Sequence, residues 1–173
     1  DSYIIATYIL KLVPKYLTEK LIINLIDNTL IINTDKKYIY NLINFLKNHW
    51  SLQYKTLIAL TAVDYPENKE RFELNYFLLS YKLNHRILIK TTTTDTKPIL
   101  SIVQLYKGAN WYEREVCDLY GIFFLNHPDL RRLITDYGFE GYPLRKDFPQ
   151  TGFLEIRYDD QQKSLLYEPL EMS

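Results

Sequence analysis

NWYEREVCDLYGIFFLNHPDLRRLITDYGFEGYPLRKDFP, residues 110–149, begins with a helical pattern and then loses all periodicity. Tyr112, Val116, Leu119 and Phe123 recur at the helical period and define one apolar stripe. Asn110 is placed to be the N-cap, with Glu113 reaching back from the third helical position as in a capping box. Arg114 and Asp118 stand four apart on another face, a spacing that permits an ion pair. Gly121 falls where a left-handed cap ends such a helix. For the helix alone, a capped surface helix with one buried stripe is a sufficient description.

The segment after Gly121 reads differently. Pro128, Pro143 and Pro149, with Gly138 and Gly141, divide it into short turns. From His127 onward it carries the cations Arg131, Arg132, Arg145 and Lys146 among the anions Asp129, Asp136, Glu140 and Asp147. Leu130, Leu133, Ile134, Tyr137, Phe139, Tyr142, Leu144 and Phe148 make it too apolar for a solvated, disordered tail. Arginines set among aromatics suit desolvated, bidentate contacts with carboxylates. A structureless run of this length is uncommon inside a compact domain, so the expectation is a segment ordered against a partner rather than packed on itself. The expected division is a globular α/β domain over 1–120 and an extended, partner-wrapping segment over 121–173. Fully extended, that segment would reach on the order of 170 Å.

Composition narrows the classes. A chain of 173 residues fits one domain with an extension and can bury a real core. Zero formal net charge argues against a nucleic-acid binder or a polybasic membrane clamp. One cysteine, Cys117, makes no intrachain disulfide and supplies too few ligands for an iron–sulfur cluster. His49, His85 and His127 lie in three separate segments, and no run is long and apolar enough to span a membrane. Neither a signal nor a transit peptide is visible, and the chain opens on Asp1, which leaves room for an upstream segment. Heavy use of Ile, Asn, Lys, Tyr and Leu is the bias that AT-rich codons favour. It points to an organellar genome, although an AT-rich nuclear or bacterial genome gives the same bias.

Upstream, residues 3–17 read as a short amphipathic helix with Ile5, Ile9, Leu12 and Leu17 inward, bent or ended near Val13 by Pro14. Lys20–Asp27 and Thr29–Thr34 read as strands joined by a tight turn at Asp27-Asn28. Asp35 is a candidate N-cap for a helix over Lys36–His49, whose stripe is Ile39, Leu42, Ile43 and Leu46. Thr56–Val63 is a nearly continuous apolar run, which implies a central strand. Phe72–Tyr81 and Arg86–Thr94 complete a three-strand meander, and Ile99–Tyr106 reads as the first turn or two of helix leading to Asn110. The expected fold is α+β: a mixed or antiparallel sheet of about five strands with flanking helices, plus an extended C-terminal tail.

No catalytic constellation stands out. There is no phosphate loop and no dinucleotide-binding glycine motif. His127-Pro128-Asp129 offers too few ligands for a metal site, and a local backbone bond from His127 is the simpler role. Glu113 and Glu115 point to different faces of their helix, so they form no acid–base pair.

The run Glu113–Glu115, Asp118–Ile122, Phe124, His127–Arg132, Thr135–Phe139, Gly141 and Pro143–Pro149 resembles the signature of the thirty-kilodalton subunit family of respiratory complex I. Cys117 and Tyr142 stand where other residues are common in that family. LTAVDYP (60–66) and RFELNYFLLS (71–80) resemble its central strands. The resemblance is good over 57–149 and holds only in outline before that. It implies a subunit of the hydrophilic arm that binds no cofactor itself, with iron–sulfur clusters, FMN and quinone held by neighbours. It implies contact with the forty-nine-kilodalton subunit and other arm subunits, and a place on the matrix side of the mitochondrial inner membrane. The interface residues it nominates are Glu113, Arg114, Asp118, His127, Asp129, Arg131, Arg132, Asp136, Arg145, Lys146 and Asp147. Two rival readings stand beside it. One is a stand-alone small-molecule enzyme with a site around Glu115, Asp118, His127 and Arg131. The other is a nucleic-acid module using Arg131, Arg132, Arg145 and Lys146, which the interleaved acids disfavour.

Overall fold

A computed structural model describes residues 2–15, 20–24 and 29–170 of the chain. The Asp27-Asn28 turn and Leu17 lie outside the described residues. Helix α1 (Ser2–Leu12) is followed by β1 (Lys20–Asn24), β2 (Thr29–Asn33) and α2 (Ile39–Asn48). The meander β3 (Thr56–Asp64), β4 (Phe72–Ser80) and β5 (His85–Thr93) comes next. Two-residue strands β6 (Ile99–Leu100) and β7 (Phe124–Leu125) flank α3 (Ala109–Tyr120), and a hairpin of β8 (Leu154–Asp159) and β9 (Ser164–Pro169) closes the described chain.

The main sheet has five strands in the order β1-β2-β5-β4-β3. All neighbours are antiparallel except β2 and β5, which run parallel after the crossover through α2 and the meander. The expected mixed, five-stranded α+β architecture is what forms. Strand alternation sends Leu74, Tyr76 and Leu78 of β4 and Ile87 and Ile89 of β5 to one face, where all are buried. The α2 stripe Ile39, Leu42, Ile43 and Leu46 is fully buried in the same cluster. Ile9 of α1 and Val116 of α3 join it. The opposite face is half open, with Phe77 37% exposed.

Pro14 ends α1 as expected, with the Val13 amide still bonded to the Ile9 carbonyl at 2.9 Å. Asp35 caps the turn before α2 rather than the helix itself, its Oδ1 accepting from the Lys37 amide at 3.2 Å. His49 sits at the end of α2, bonded through Nδ1 to the Ser51 hydroxyl at 2.8 Å.

Two further expectations about the elements are overturned. β3 is an edge strand, not a central one. Its apolar run is explained by α3, which packs beside it; the Tyr112 hydroxyl donates to the Ile58 carbonyl at 2.9 Å. A helix covering a sheet edge shields it as a further strand would. Ile99–Tyr106 is not the start of a helix either. Ile99 and Leu100 pair in parallel with Phe124 and Leu125, and only a single turn follows, closed by the Leu105 and Tyr106 amides on the Ile102 carbonyl.

Leu42 is wholly enclosed by this core, whereas Phe77 lies on the open face. Leu42→Ala is therefore expected to cost about 3 kcal/mol in denaturant unfolding, and Phe77→Ala less, about 1–2 kcal/mol, since more than a third of it is already open to solvent.

Candidate interface site: two buried carboxylates that hold the tail

Helix α3 is built differently at its N-terminal end from what the sequence outlines. Its N-cap is Gly108, without a side-chain cap. Asn110 lies inside the helix, and Glu113 does not cap it. Glu113 is fully buried and reaches sideways: Oε2 accepts from the Ser101 hydroxyl at 2.6 Å and Oε1 from the Ile102 amide at 2.7 Å. The capping box fails because the Ile102 amide and the Ser101 hydroxyl, just after β6, are buried donors that take Glu113 as their acceptor. Burial raises the Glu113 carboxyl to about 7, against the two hydrogen bonds that favour its charged form.

His127 packs beside it, Nε2 lying 3.8 Å from Glu113 Oε2 and 3.3 Å from the Asn110 carbonyl. Because Nδ1 accepts from the Asp129 amide at 3.1 Å, the neutral ring carries its proton on Nε2 and donates to the Asn110 carbonyl. The local structural role expected for His127 is the one it plays.

The C-terminal end of α3 is set by Gly121, left-handed at φ 77° as the sequence requires. A Cβ there would stand 2.5 Å from the Arg145 guanidinium and 2.7 Å from the Tyr142 ring, so glycine is needed for space as well. Three residues earlier, Asp118 is 1% exposed. The expected Arg114–Asp118 pair is not made. Arg114 donates to the carbonyls of Arg131 and Arg132, at 3.1 and 3.3 Å. Asp118 instead receives the Arg132 guanidinium and the Thr135 hydroxyl on Oδ1, at 3.1 and 2.6 Å. Its Oδ2 accepts the amides of Leu133, Ile134 and Thr135 at 3.1, 2.7 and 2.9 Å. Burial alone would raise this carboxyl, but the Thr135 hydroxyl and the three amides outweigh it and hold it at about 2.

Asp64, at the end of β3, is the second anchor and is also buried. Arg71 grips it with two bonds, Nε at 2.6 Å and Nη2 at 2.8 Å, and the Lys146 amide adds a third at 2.8 Å. The Arg71 pair holds the Asp64 carboxyl below its ordinary value despite burial. Arg71 also reaches Asp147 at 2.8 Å. Arg145 lies over the Tyr142 ring at 4.4 Å and the Phe72 ring at 5.1 Å, and its Nε donates to the Tyr120 carbonyl at 2.7 Å. The tail is thus fastened at Leu133–Thr135 and again at Leu144–Asp147, and Arg132 and Arg145 are committed within the chain.

The remaining nominated residues are placed outward. Arg131 and Asp129 pair at 2.9 Å while both stay well exposed, and Asp136 and Lys146 are exposed too. Asp64, Arg71, Ser101 and Thr135 are the functional residues that the sequence reading missed. An isolated acid closing an apolar strand was the available signal for Asp64.

The four residues of the rival enzyme site do not converge. Asp118 is saturated by donors, His127 is enclosed with Glu113, and Arg131 is at the surface. Glu115 borders a separate shallow cleft against β3. Among the described residues no cluster of three or more potential metal-ligating side chains occurs, and no helix is long and apolar enough to cross a membrane.

Residues 32–154 match the family described as respiratory-chain NADH dehydrogenase, 30 kDa subunit. The probable NADH-ubiquinone oxidoreductase 30.4 kDa subunit of Candida maltosa mitochondria is 48% identical over 96% of this chain, which spans 59% of that protein. NADH-ubiquinone oxidoreductase subunit 9 of Reclinomonas americana is 50% identical over 95% of this chain and 79% of its own length. NADH dehydrogenase [ubiquinone] iron-sulfur protein 3 of Patellifolia webbiana is 46% identical over the whole chain and 89% of its own length. Two solved structures share the fold. A trypsin-resistant fragment of Nqo5 aligns with a TM-score of 0.58 at 23% identity, covering 74% of this chain and 97% of that one. A chain of an archaeal membrane-bound sulfane sulfur reductase aligns with a TM-score of 0.70 at 24% identity over 85% of each.

Asp118→Asn removes the charge and sets an N–H either against the three amides or against the Arg132 guanidinium and Thr135 hydroxyl, and is expected to cost on the order of 3 kcal/mol. In the parent chain the Asp118 contribution is complete above the unfolded value near 3.8 and is lost as pH falls toward about 2; thermal melts of both chains across that window check it. Glu113 has the opposite sign. Its folded value exceeds its unfolded one, so it erodes stability as pH rises from 4.5 to about 7, facing His127 and Tyr76. Urea melts of Glu113→Gln are expected to lack that slope, which in the parent approaches about 1.4 kcal/mol per pH unit.

Proposed function

The chain belongs to the family of the 30 kDa subunit of respiratory-chain NADH dehydrogenase, and from that premise we propose that it is a structural subunit of complex I's peripheral arm, supporting assembly and electron transfer from NADH to ubiquinone coupled to proton translocation. The observation that carries the reading is the family match reaching residue 154, through the whole doubly anchored tail. In this reading the chain holds no redox group. Iron–sulfur clusters, FMN and the quinone site belong to neighbouring subunits, and the one cysteine of this chain fits that division.

We assign the tail's outward side to the forty-nine-kilodalton subunit and other arm subunits, on the matrix side of the mitochondrial inner membrane. The relatives named above include mitochondrial proteins, which supports the compartment. The interface is divided by what each residue does. Glu113, Asp118, His127, Arg132 and Arg145 shape the tail from within, while Arg114 binds its backbone. Asp129, Arg131, Asp136 and Lys146 are the groups left to face a neighbour, while Asp147 is exposed but already paired with Arg71.

Arg131→Ala and Arg145→Ala separate these roles. Arg131 is an exposed ion-pair partner, so its loss should leave the melting temperature within a few degrees. It should nevertheless lower the amount of chain that co-migrates with the large NADH-oxidising complex on a native gel. Arg145→Ala should lower both. Normal assembly of both variants with slowed turnover would point to a direct catalytic part instead.

A further inference from the structure

The β8–β9 hairpin has two unlike faces. Its register places Leu154, Ile156 and Tyr158 on one side with Leu165 and Tyr167, and Glu155, Arg157 and Glu168 on the other with the half-buried Leu166 as the one apolar residue among them. The polar face closes on itself through an Arg157–Glu168 pair at 2.9 Å. The five apolar side chains are all open to solvent, from 47% at Ile156 to 61% at Leu165. A two-stranded ribbon alone is marginal in water, so a hairpin exposing its whole apolar face is structurally incomplete.

That face runs into a groove of about 440 Å³ shared with the tail. Ile156 and Tyr167 form one side, and Phe139, Phe148 and Phe153 form another. The three rings are in contact, with centroids 5.9 and 5.3 Å apart, and they fix the groove's shape. Gly141 is left-handed at φ 90°, and a Cβ there would meet the Phe148 ring at 2.8 Å, so the floor depends on its absence. The charged residues lining the groove are Asp136 and Glu140, both exposed, and among the described residues no lysine or arginine lines it.

We propose that this face and groove dock a basic amphipathic helix of a partner chain, with its aliphatic stripe on the hairpin and a lysine or arginine against Asp136 and Glu140. The inference rests on reading the chain as an assembly subunit. Six paired residues give a face about 20 Å long, which about 13 residues of helix match. A helix about 10 Å across covers both strands. An added strand would pair with an edge and leave the face open. A second copy of this chain would set acids against acids, and an anionic lipid surface would meet the same repulsion.

The test titrates the purified full chain with two labelled synthetic helices of about 14 residues, identical in their leucine stripe but flanked by lysines or by glutamates. The lysine peptide is expected to bind at least tenfold more tightly, and its binding should weaken with salt. Asp136→Asn with Glu140→Gln should reduce that preference to about twofold. Ile156→Ser, an exposed position, should abolish binding of both peptides while the thermal melt stays unchanged. Equal binding of the two peptides overturns the proposal. So does a dimer of the chain that Ile156→Ser dissociates, or a preference for phosphatidylserine vesicles over the lysine peptide. Assembly is read separately on the native gel. A chain that assembles yet ignores the lysine peptide refutes the groove alone, and one that binds the peptide but never assembles refutes the proposed function alone.

Discussion

A carboxylate near the C-terminus of a helix is badly placed. The helix dipole is negative there, and burial adds a desolvation cost. Asp118 has both disadvantages, with no basic residue in the last turn of α3 to offset them. The amides of Leu133, Ile134 and Thr135, the Thr135 hydroxyl and Arg132 remove the difficulty. None of these donors is local; all come from the tail. Helix and tail therefore stabilise one another. The same logic recurs at Asp64, where a buried strand-end acid is satisfied by Arg71 and the Lys146 amide. Between the two anchors Arg145 spans Tyr142 and Phe72 and closes on the end of α3.

This arrangement explains which parts of the fold were legible in the sequence. The α2 stripe, the three-strand meander and the Gly121 cap follow from local periodicity and backbone preference, and all are found. The failures occur where a distant group decides. β3 reads as central because its apolar run counts burial without saying what covers it; the cover is α3, about fifty residues later. Glu113 satisfies every sequence rule for a capping box, but Ser101 and Ile102 compete for it, and burial makes their claim the stronger. Arg114 and Asp118 have the spacing of a surface pair, which contributes only a few tenths of a kcal/mol. Asp118 gains more from charge-assisted bonds to the tail.

The candidate site was legible in composition more than in geometry. Arginines, acids and rings in one aperiodic stretch do mark the segment where the chain's charged side chains do most work. What the sequence could not convey is how much of that charge is consumed internally. Arg132, itself partly exposed, and Arg145, both read as reaching outward, instead bond to groups of the chain itself, while Arg131 and Lys146 remain exposed. A charged segment can thus be self-packed on one side and open to solvent on the other, because the two sides of a strap carry different residues.

The consequence concerns order of assembly. A tail that became ordered only on a partner would lose conformational entropy at the moment of binding and would bind weakly for its area. Here the two carboxylate anchors fix Leu133–Asp147 through bonds within the chain itself, and the contacts among Phe139, Phe148 and Phe153 carry that order on to the foot of the hairpin. The entropy is lost within the chain's own fold. A partner docking there, as proposed above, would meet a preset surface, and its binding energy would go into contact rather than into ordering.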